Sequence, residues 1–361
     1  MTRRKWLTGT LMATARAAPL RLPRKVRVAL IGLEGHMSEI LDPLPLLPDI
    51  EITAMADRDP EMLADMARNP AVARARPYRD YRELLSKERF DIAGIGGTNG
   101  ERAEIILACA QRKVHVVSEK PLATETAALE RVQRAVKENG IHLTMLLPMR
   151  FEPPYAAMRK LVEQGYIGEV AQIAAQKSYK LGDRPDWMRH HSMFGGTIPY
   201  IGIHMVDLMR FTSGRELLQA TAWQSRIGYP EMRDLENTAA CLFHLDNGGT
   251  AVLHLDYLRP ETAPTHGDDR LRLAGTRGVV EFQEASGLTL VTDKTPPRTV
   301  HDLPPHRWLF VDFLNGVYNG KSVGLSLIDI YRSNEIVLAA RQSAQAGDGL
   351  PVCTVKGVAH A

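Results

Sequence analysis

Val26-Arg27-Val28-Ala29-Leu30-Ile31-Gly32-Leu33-Glu34-Gly35-His36-Met37-Ser38 decides the fold. Residues 26–31 are a short β-rich run that stops at a glycine, and a helical stretch follows from about Ser38 to Leu47. The pattern then repeats. A second strand, Glu51-Ile52-Thr53-Ala54-Met55-Ala56, ends at Asp57, and a helix covers about Pro60 to Arg68. A further strand ends near Gly96, and a helix over Arg102–Arg112 leads to Val116-Val117-Ser118-Glu119-Lys120-Pro121-Leu122-Ala123. Strands alternating with helices predict a parallel, doubly wound sheet with its ligand at the strand C-termini.

Those C-termini carry candidate chemistry. A dinucleotide fingerprint Gly-x-Gly-x-x-Gly asks for glycine at 34 and 37, where this chain has Glu34 and Met37; it offers Gly32 and Gly35 instead. The middle glycine normally lets a pyrophosphate approach the backbone, so either Glu34 turns its side chain away or the loop shifts so that Gly35 makes the close approach. Asp57 lies 25 residues after Gly32, at a strand tip, where a carboxylate binds ribose hydroxyls and repels a 2′-phosphate. That favours NAD over NADP, although Arg58 beside it keeps NADP open. Lys120 ends an apolar strand between this domain and the next. A lysine at such a mouth can polarise a hydroxyl or carbonyl oxygen beside a nicotinamide ring.

Length and composition set limits. The chain has 361 residues, enough for two domains, and no apolar run long enough to span a bilayer. Its net charge of +3 is uneven, because residues 1–25 hold seven basic residues and no acid, leaving the rest at −4. A mildly acidic body argues against nucleic-acid binding. Cys109, Cys241 and Cys353 have no metal-type spacing, and His190-His191 lacks a third ligand, so no metal is expected. Residues 1–24 read as a leader. Thr2-Arg3-Arg4-Lys5-Trp6-Leu7 is similar to a twin-arginine signal, with Ala15-Arg16-Ala17 as a cleavage site, which predicts a periplasmic protein. The alternative is a basic leader on a cytoplasmic one.

Several further pieces occur in order: Ala56-Asp57-Arg58, Thr98-Asn99, Glu119-Lys120-Pro121, Arg150-Phe151-x-Pro153, Gly165-x-Ile167-Gly168-Glu169-Val170, Gly195-Gly196, Gly202-Ile203-His204-x-x-Asp207 and Ala339-Ala340-x-x-Ser343-Ala344-x-x-Gly347. With the Gly32 loop they make the chain, from Val26 onward, resemble the glucose–fructose oxidoreductase / inositol dehydrogenase (Gfo/Idh/MocA) family. The resemblance implies a Rossmann domain over 25–148 and a C-terminal α+β domain over 149–361. That second domain would hold a large open, mainly antiparallel sheet that often mediates homo-oligomers. It implies NAD(P)-dependent oxidation or reduction of a sugar or polyol. Cofactor contacts would come from Gly32, Leu33, Gly35, His36, Asp57, Arg58, Thr98, Asn99, Glu119 and Lys120. Substrate contacts would come from Lys120, Arg150, Trp187, Tyr200 and His204, with Lys120 and His204 catalytic.

In the second domain, Tyr200, His204 and Asp207 fall at i, i+4 and i+7, on one helix face. Many polyol dehydrogenases of the family carry aspartate where this chain has Tyr200. A phenol donates a hydrogen bond or relays a proton but supplies no anion at neutral pH, so Tyr200 is either part of an altered acid/base pair or an aromatic wall. Residues 177–193 are polar with interspersed aromatics, the pattern either of a loop that grips a hydroxylated ligand or of a solvated one. Strands are expected around Ala239–Leu245, Thr250–Leu258 and Leu271–Phe282, with Asn247-Gly248-Gly249 as a hairpin turn. Three functions remain open: a sugar or polyol oxidoreductase, a redox-assisted glycosidase or lyase that keeps its NAD, and a non-catalytic ligand sensor.

Overall fold

The computed structural model describes residues 18–355. The twin-arginine motif therefore lies outside the described residues. The end of the expected leader, 18–24, lies against the first domain: Leu20 N donates to the Leu46 carbonyl (2.8 Å) and Leu22 N to Asp49 Oδ2 (3.1 Å).

Six parallel strands build the first sheet: β1 (Val26–Ile31), β2 (Ile50–Ala56), β3 (Arg76–Tyr78), β4 (Ile92–Ile95), β5 (His115–Ser118) and β6 (Leu143–Met145). Their order is β3-β2-β1-β4-β5-β6, a doubly wound sheet whose direction of winding reverses between β1 and β4. Helices cover both faces: α1 (Ser38–Leu41), α2 (Pro60–Ala67), α3 (Tyr81–Lys87), α4 (Asn99–Gln111) and α5 (Thr126–Asn139). All four residues of β4 are buried, which is why its sequence is apolar without alternation. The first helix is shorter than the expected span to Leu47. Pro43 and Pro45 have no N–H to continue it, and Leu44–Leu46 turns as a 3₁₀ segment instead.

The second half opens with α6 (Pro153–Glu163) and β7 (Val170–Lys180). A short helix α7 (His191–Phe194) and a π-helical turn Ile198–Gly202 lead into α8 (Ile203–Ser213). The remaining strands are β8 (Leu217–Ser225), β9 (Thr238–Leu245), β10 (Thr250–Arg259), β11 (Gly267–Gly275), β12 (Gly278–Gln283), β13 (Gly287–Thr292) and β14 (Thr295–Thr299). They precede α9 (Leu309–Asn319), α10 (Leu327–Ala346) and β15 (Val352–Cys353). The nine-stranded sheet runs β14-β13-β12-β11-β7-β10-β9-β8-β15, antiparallel except at β7/β10. The expected Asn247-Gly248-Gly249 turn joins β9 to β10, with Gly248 at φ +85°. The expected single strand Leu271–Phe282 is two: Gly275-Thr276-Arg277-Gly278 folds it into the β11/β12 hairpin.

Helix α10 ties the halves together. Asn334 Oδ1 accepts the Leu122 amide (2.9 Å), and Arg341 donates to the Gly195 carbonyl and to Glu125 (both 3.0 Å). The turn carrying Lys120 and the glycines ahead of His204 are thus braced on one helix.

Candidate active site

The loop after β1 lies where a pyrophosphate would approach. Gly32 has φ +70°, and a Cβ there would stand 2.8 Å from the Gly96 carbonyl carbon, so the loops after β1 and β4 pack backbone on backbone. Gly35 has φ +96°, and a side chain there would overlap the Glu119 carboxylate. Glu34 turns away across the cleft, and its Oε2 accepts the Trp187 indole N–H (2.9 Å). Leu33 N donates to Asp57 Oδ2 (2.8 Å) and Asp59 N to Asp57 Oδ1 (2.9 Å), which fixes Asp57 at the tip of β2 while leaving lone pairs for a ribose. His36 points inward: its amide hydrogen-bonds Glu119 Oε1, and its Nδ1 lies 2.6 Å from the same oxygen. Among the described residues no hydrogen bond takes the amides of Glu34 and Gly35. These features fit a dinucleotide, and the close approach that Gly35 permits in this structure is that of the Glu119 carboxylate.

Three other expected cofactor residues serve mainly the scaffold here. Arg58 pairs with Glu101 (2.7 Å), and Thr98 Oγ1 donates to the same carboxylate (3.1 Å). The Asn99 side chain is buried and donates to the Phe194 carbonyl (2.7 Å), tying α4 to the second domain.

Lys120 is 4% exposed. Its turn is held by the buried Arg102 guanidinium, which donates to the Pro121 carbonyl (2.7 Å), the Gly97 carbonyl (2.8 Å) and Asn99 Oδ1 (3.0 Å). Lys120 Nζ donates to the Tyr200 carbonyl (2.7 Å) and stands 3.6 Å from the Tyr200 ring centroid. Burial brings the Lys120 pKa down to about 7: Glu119 opposes the shift, and Arg102, Lys177 and Arg184 add to it. Burial alone would raise Glu119, yet His36, Lys120 and Arg102 bring it down to about 2. The carboxylate therefore stays ionised.

The π-helical turn sets Tyr200 one turn ahead of His204; the Tyr200 ring faces Lys120, and the His204 ring lies against His36. Burial pushes the Tyr200 phenol up to about 12, so it is no anion at neutral pH. Its ring, with Phe194 at 5.0 Å and Trp187 at 6.3 Å, forms an aromatic wall over the lysine. His204 is buried, and its ring meets His36 edge-on at 5.7 Å.

Asp207 and Arg150 belong elsewhere. Arg150 grips Asp207 through Nη2 and through Nε (3.0 Å), and also donates to the Gly324 carbonyl (2.9 Å) and Asp329 (3.3 Å). Phe211 covers the guanidinium at 4.8 Å. Buried and held by these four hydrogen bonds, Arg150 anchors a structural ion pair with Asp207 and Asp329.

The structure adds residues not singled out from the sequence. Lys177 and Asp269 lie directly opposite each other on β7 and β11 and pair at 2.8 Å. Tyr257 on β10 is fully buried beneath Arg184 (4.7 Å from guanidinium to ring). Strand parity gave a signal for the pair, since Lys177 continues the buried face of Ile173 and Ala175. Among the described residues no group of three or more His, Cys, Asp or Glu could hold a metal, and no helix is long and apolar enough to cross a membrane.

Comparisons with known proteins agree with this architecture. Residues 26–146 match the model of the oxidoreductase family with an NAD-binding Rossmann fold, and 155–281 match the GFO/IDH/MocA C-terminal domain. A provisionally assigned oxidoreductase of Thermotoga maritima is 34% identical, with a TM-score of 0.85 over 91% of this chain and 100% of its own. Myo-inositol 2-dehydrogenase of the same organism is 24% identical over 76% of this chain and 80% of its own. Levoglucosan dehydrogenase, solved with NADH, shares the fold at 21% identity, with a TM-score of 0.79 over 92% of this chain and all of its own. The chain belongs to the Gfo/Idh/MocA family of NAD-binding oxidoreductases.

Proposed function

We propose that the protein moves a hydride between NAD(H) and a hydroxyl-bearing carbon of a sugar or cyclic polyol, with Lys120 and His204 acting on the reacting oxygen. One observation carries the reading. Lys120 is a buried ammonium at the C-terminal end of β5, with no carboxylate at ion-pair distance among the described residues. Relatives named for inositol and D-apiose support a hydroxylated substrate.

The amides of the Gly32–Gly35 loop and the Asp57 carboxylate would hold the dinucleotide, and its nicotinamide ring supplies the hydride acceptor. His204 takes the proton from the substrate hydroxyl. Lys120 Nζ hydrogen-bonds the same oxygen and steadies the charge that builds on it. The wall of Tyr200, Phe194 and Trp187 excludes water, and the Tyr200 ring over Lys120 supports a packing role rather than that of an aspartate substitute. NAD is preferred over NADP, because Asp57 repels a 2′-phosphate and Arg58 is already neutralised by Glu101. The protein forms homo-oligomers through the open face of the large sheet, where Trp223, Leu242 and Val252 are exposed on adjacent strands; light scattering of the full chain tests this.

The test is titration of the full-length protein with NADH and NADPH by fluorescence, then assay of NAD reduction with a panel of polyols and sugars. Binding of NADH with turnover of at least one sugar, polyol or sugar derivative is the expected result; failure to bind either dinucleotide overturns the reading. Asp57→Ala is expected to weaken NADH about tenfold while leaving NADPH nearly unchanged, and equal losses would remove Asp57 from the ribose site.

A further inference from the structure

One guanidinium near Lys120 has no counter-charge. Arg184 follows β7 with its side chain half buried and makes a single hydrogen bond, from Nη2 to the Lys180 carbonyl (3.0 Å). Its Nε is shut off from solvent without a partner, and no carboxylate among the described residues lies at ion-pair distance. The guanidinium rests on the Tyr257 ring, and the Tyr257 hydroxyl beneath it is also buried without a partner. The nearby carboxylates are already engaged, Asp269 by Lys177 and Glu119 by His36. Arg150 is instead held by two carboxylates and a carbonyl, and Arg102, whose Nε is likewise buried without a partner, gives both terminal nitrogens to the fold.

We infer that Arg184 and Tyr257 form a subsite for an anionic group, so that the substrate is a sugar acid or a sugar phosphate rather than a neutral polyol. This rests on the hydride-transfer reading and names its substrate class. A guanidinium offers five N–H donors in a planar fork that matches a carboxylate or phosphate with two parallel hydrogen bonds. A neutral hydroxyl would satisfy single donors but leave the charge uncompensated in a half-desolvated site. The surplus is also felt at Lys120, where Arg102, Lys177 and Arg184 all disfavour the protonated ammonium. A ligand anion at Arg184 would relieve that repulsion and help keep Lys120 charged. The same group would thus set specificity and support the lysine's role.

The test compares three probes of one ring: glucose, glucuronate and glucose 6-phosphate. Each is titrated by calorimetry into the NADH-bound full-length protein and assayed for turnover with NAD. Wild-type protein should bind glucuronate at least about tenfold more tightly than glucose, and Arg184→Gln should remove that preference while leaving glucose binding and thermal stability unchanged. Tyr257→Phe, which keeps the ring, should weaken the anion by a few-fold. Preference for the phosphate ester, lost in Arg184→Gln, supports the subsite and names phosphate as its ligand. Glucose binding as tightly as both anions, or an anion preference that survives Arg184→Gln, overturns the inference. Anion binding that depends on Arg184 without turnover of any probe supports the subsite and counts against the hydride-transfer reading alone.

Discussion

Two buried lysines, on the turn after β5 and on the β7/β11 ladder, meet opposite fates. Lys177 is 1% exposed, faces Asp269 at 2.8 Å, and is held well above the usual lysine range: burial pulls its pKa down, but the carboxylate more than compensates. Lys120 is as deeply buried, yet its Nζ meets a carbonyl oxygen and an aromatic face, and burial wins, bringing it down to about 7. The difference is the partner. A carboxylate makes a buried lysine a fixed strut; a carbonyl and a ring leave it able to exchange its proton near neutral pH.

Breaking each lysine should therefore fail differently. Lys120→Met is expected to lower kcat/KM by about 10³-fold or more while NADH affinity stays within about twofold, measured by steady-state kinetics and fluorescence titration; unchanged turnover would remove it from the chemistry. Lys177→Met strands Asp269 and should cost about 3–5 kcal/mol of stability, read in thermal or urea unfolding. A loss below about 1 kcal/mol would show that the pair is wet. Lys120→Arg sharpens the contrast through pH. Carbonyl reduction uses the protonated ammonium, so kcat/KM in that direction should fall about tenfold per unit as pH rises above about 7. Arginine stays charged there, so the variant should be slower and flat, and an unchanged falling limb would assign it to another group. Smallest is Trp187→Phe, which keeps the aromatic wall but loses the N–H held by Glu34. It should speed NADH release by a few-fold in stopped flow, with hydride transfer unaffected.

Much of this was legible in the sequence. The strand–helix alternation around β1, β2, β4 and β5 places Gly32, Asp57 and Lys120 at strand ends, and apolar parity marks β9 to β12, four of the nine strands of the large sheet. Local punctuation was the weaker signal: Pro43 and Pro45 cut α1 short, and Gly275 to Gly278 split one expected strand. The partners of Arg150, Asp207 and Asp329, lie 57 and 179 residues away, so its ion pairs show only in the fold. Glu34 was ambiguous for the same reason, since Trp187, 153 residues on, decides where its carboxylate points. The Lys177–Asp269 pair was readable from alternation, but only once the register of β7 against β11 is known.

The most direct test of the contrast is nuclear magnetic resonance of the full-length protein with lysine isotopically labelled at Cε, whose shift reports ionisation of the attached nitrogen. The Lys120 signal, assigned by its loss in Lys120→Arg, should titrate with a midpoint near 7, while Lys177 stays charged throughout the accessible range. A Lys120 signal that titrates with the surface lysines near about 10.4 would contradict the account.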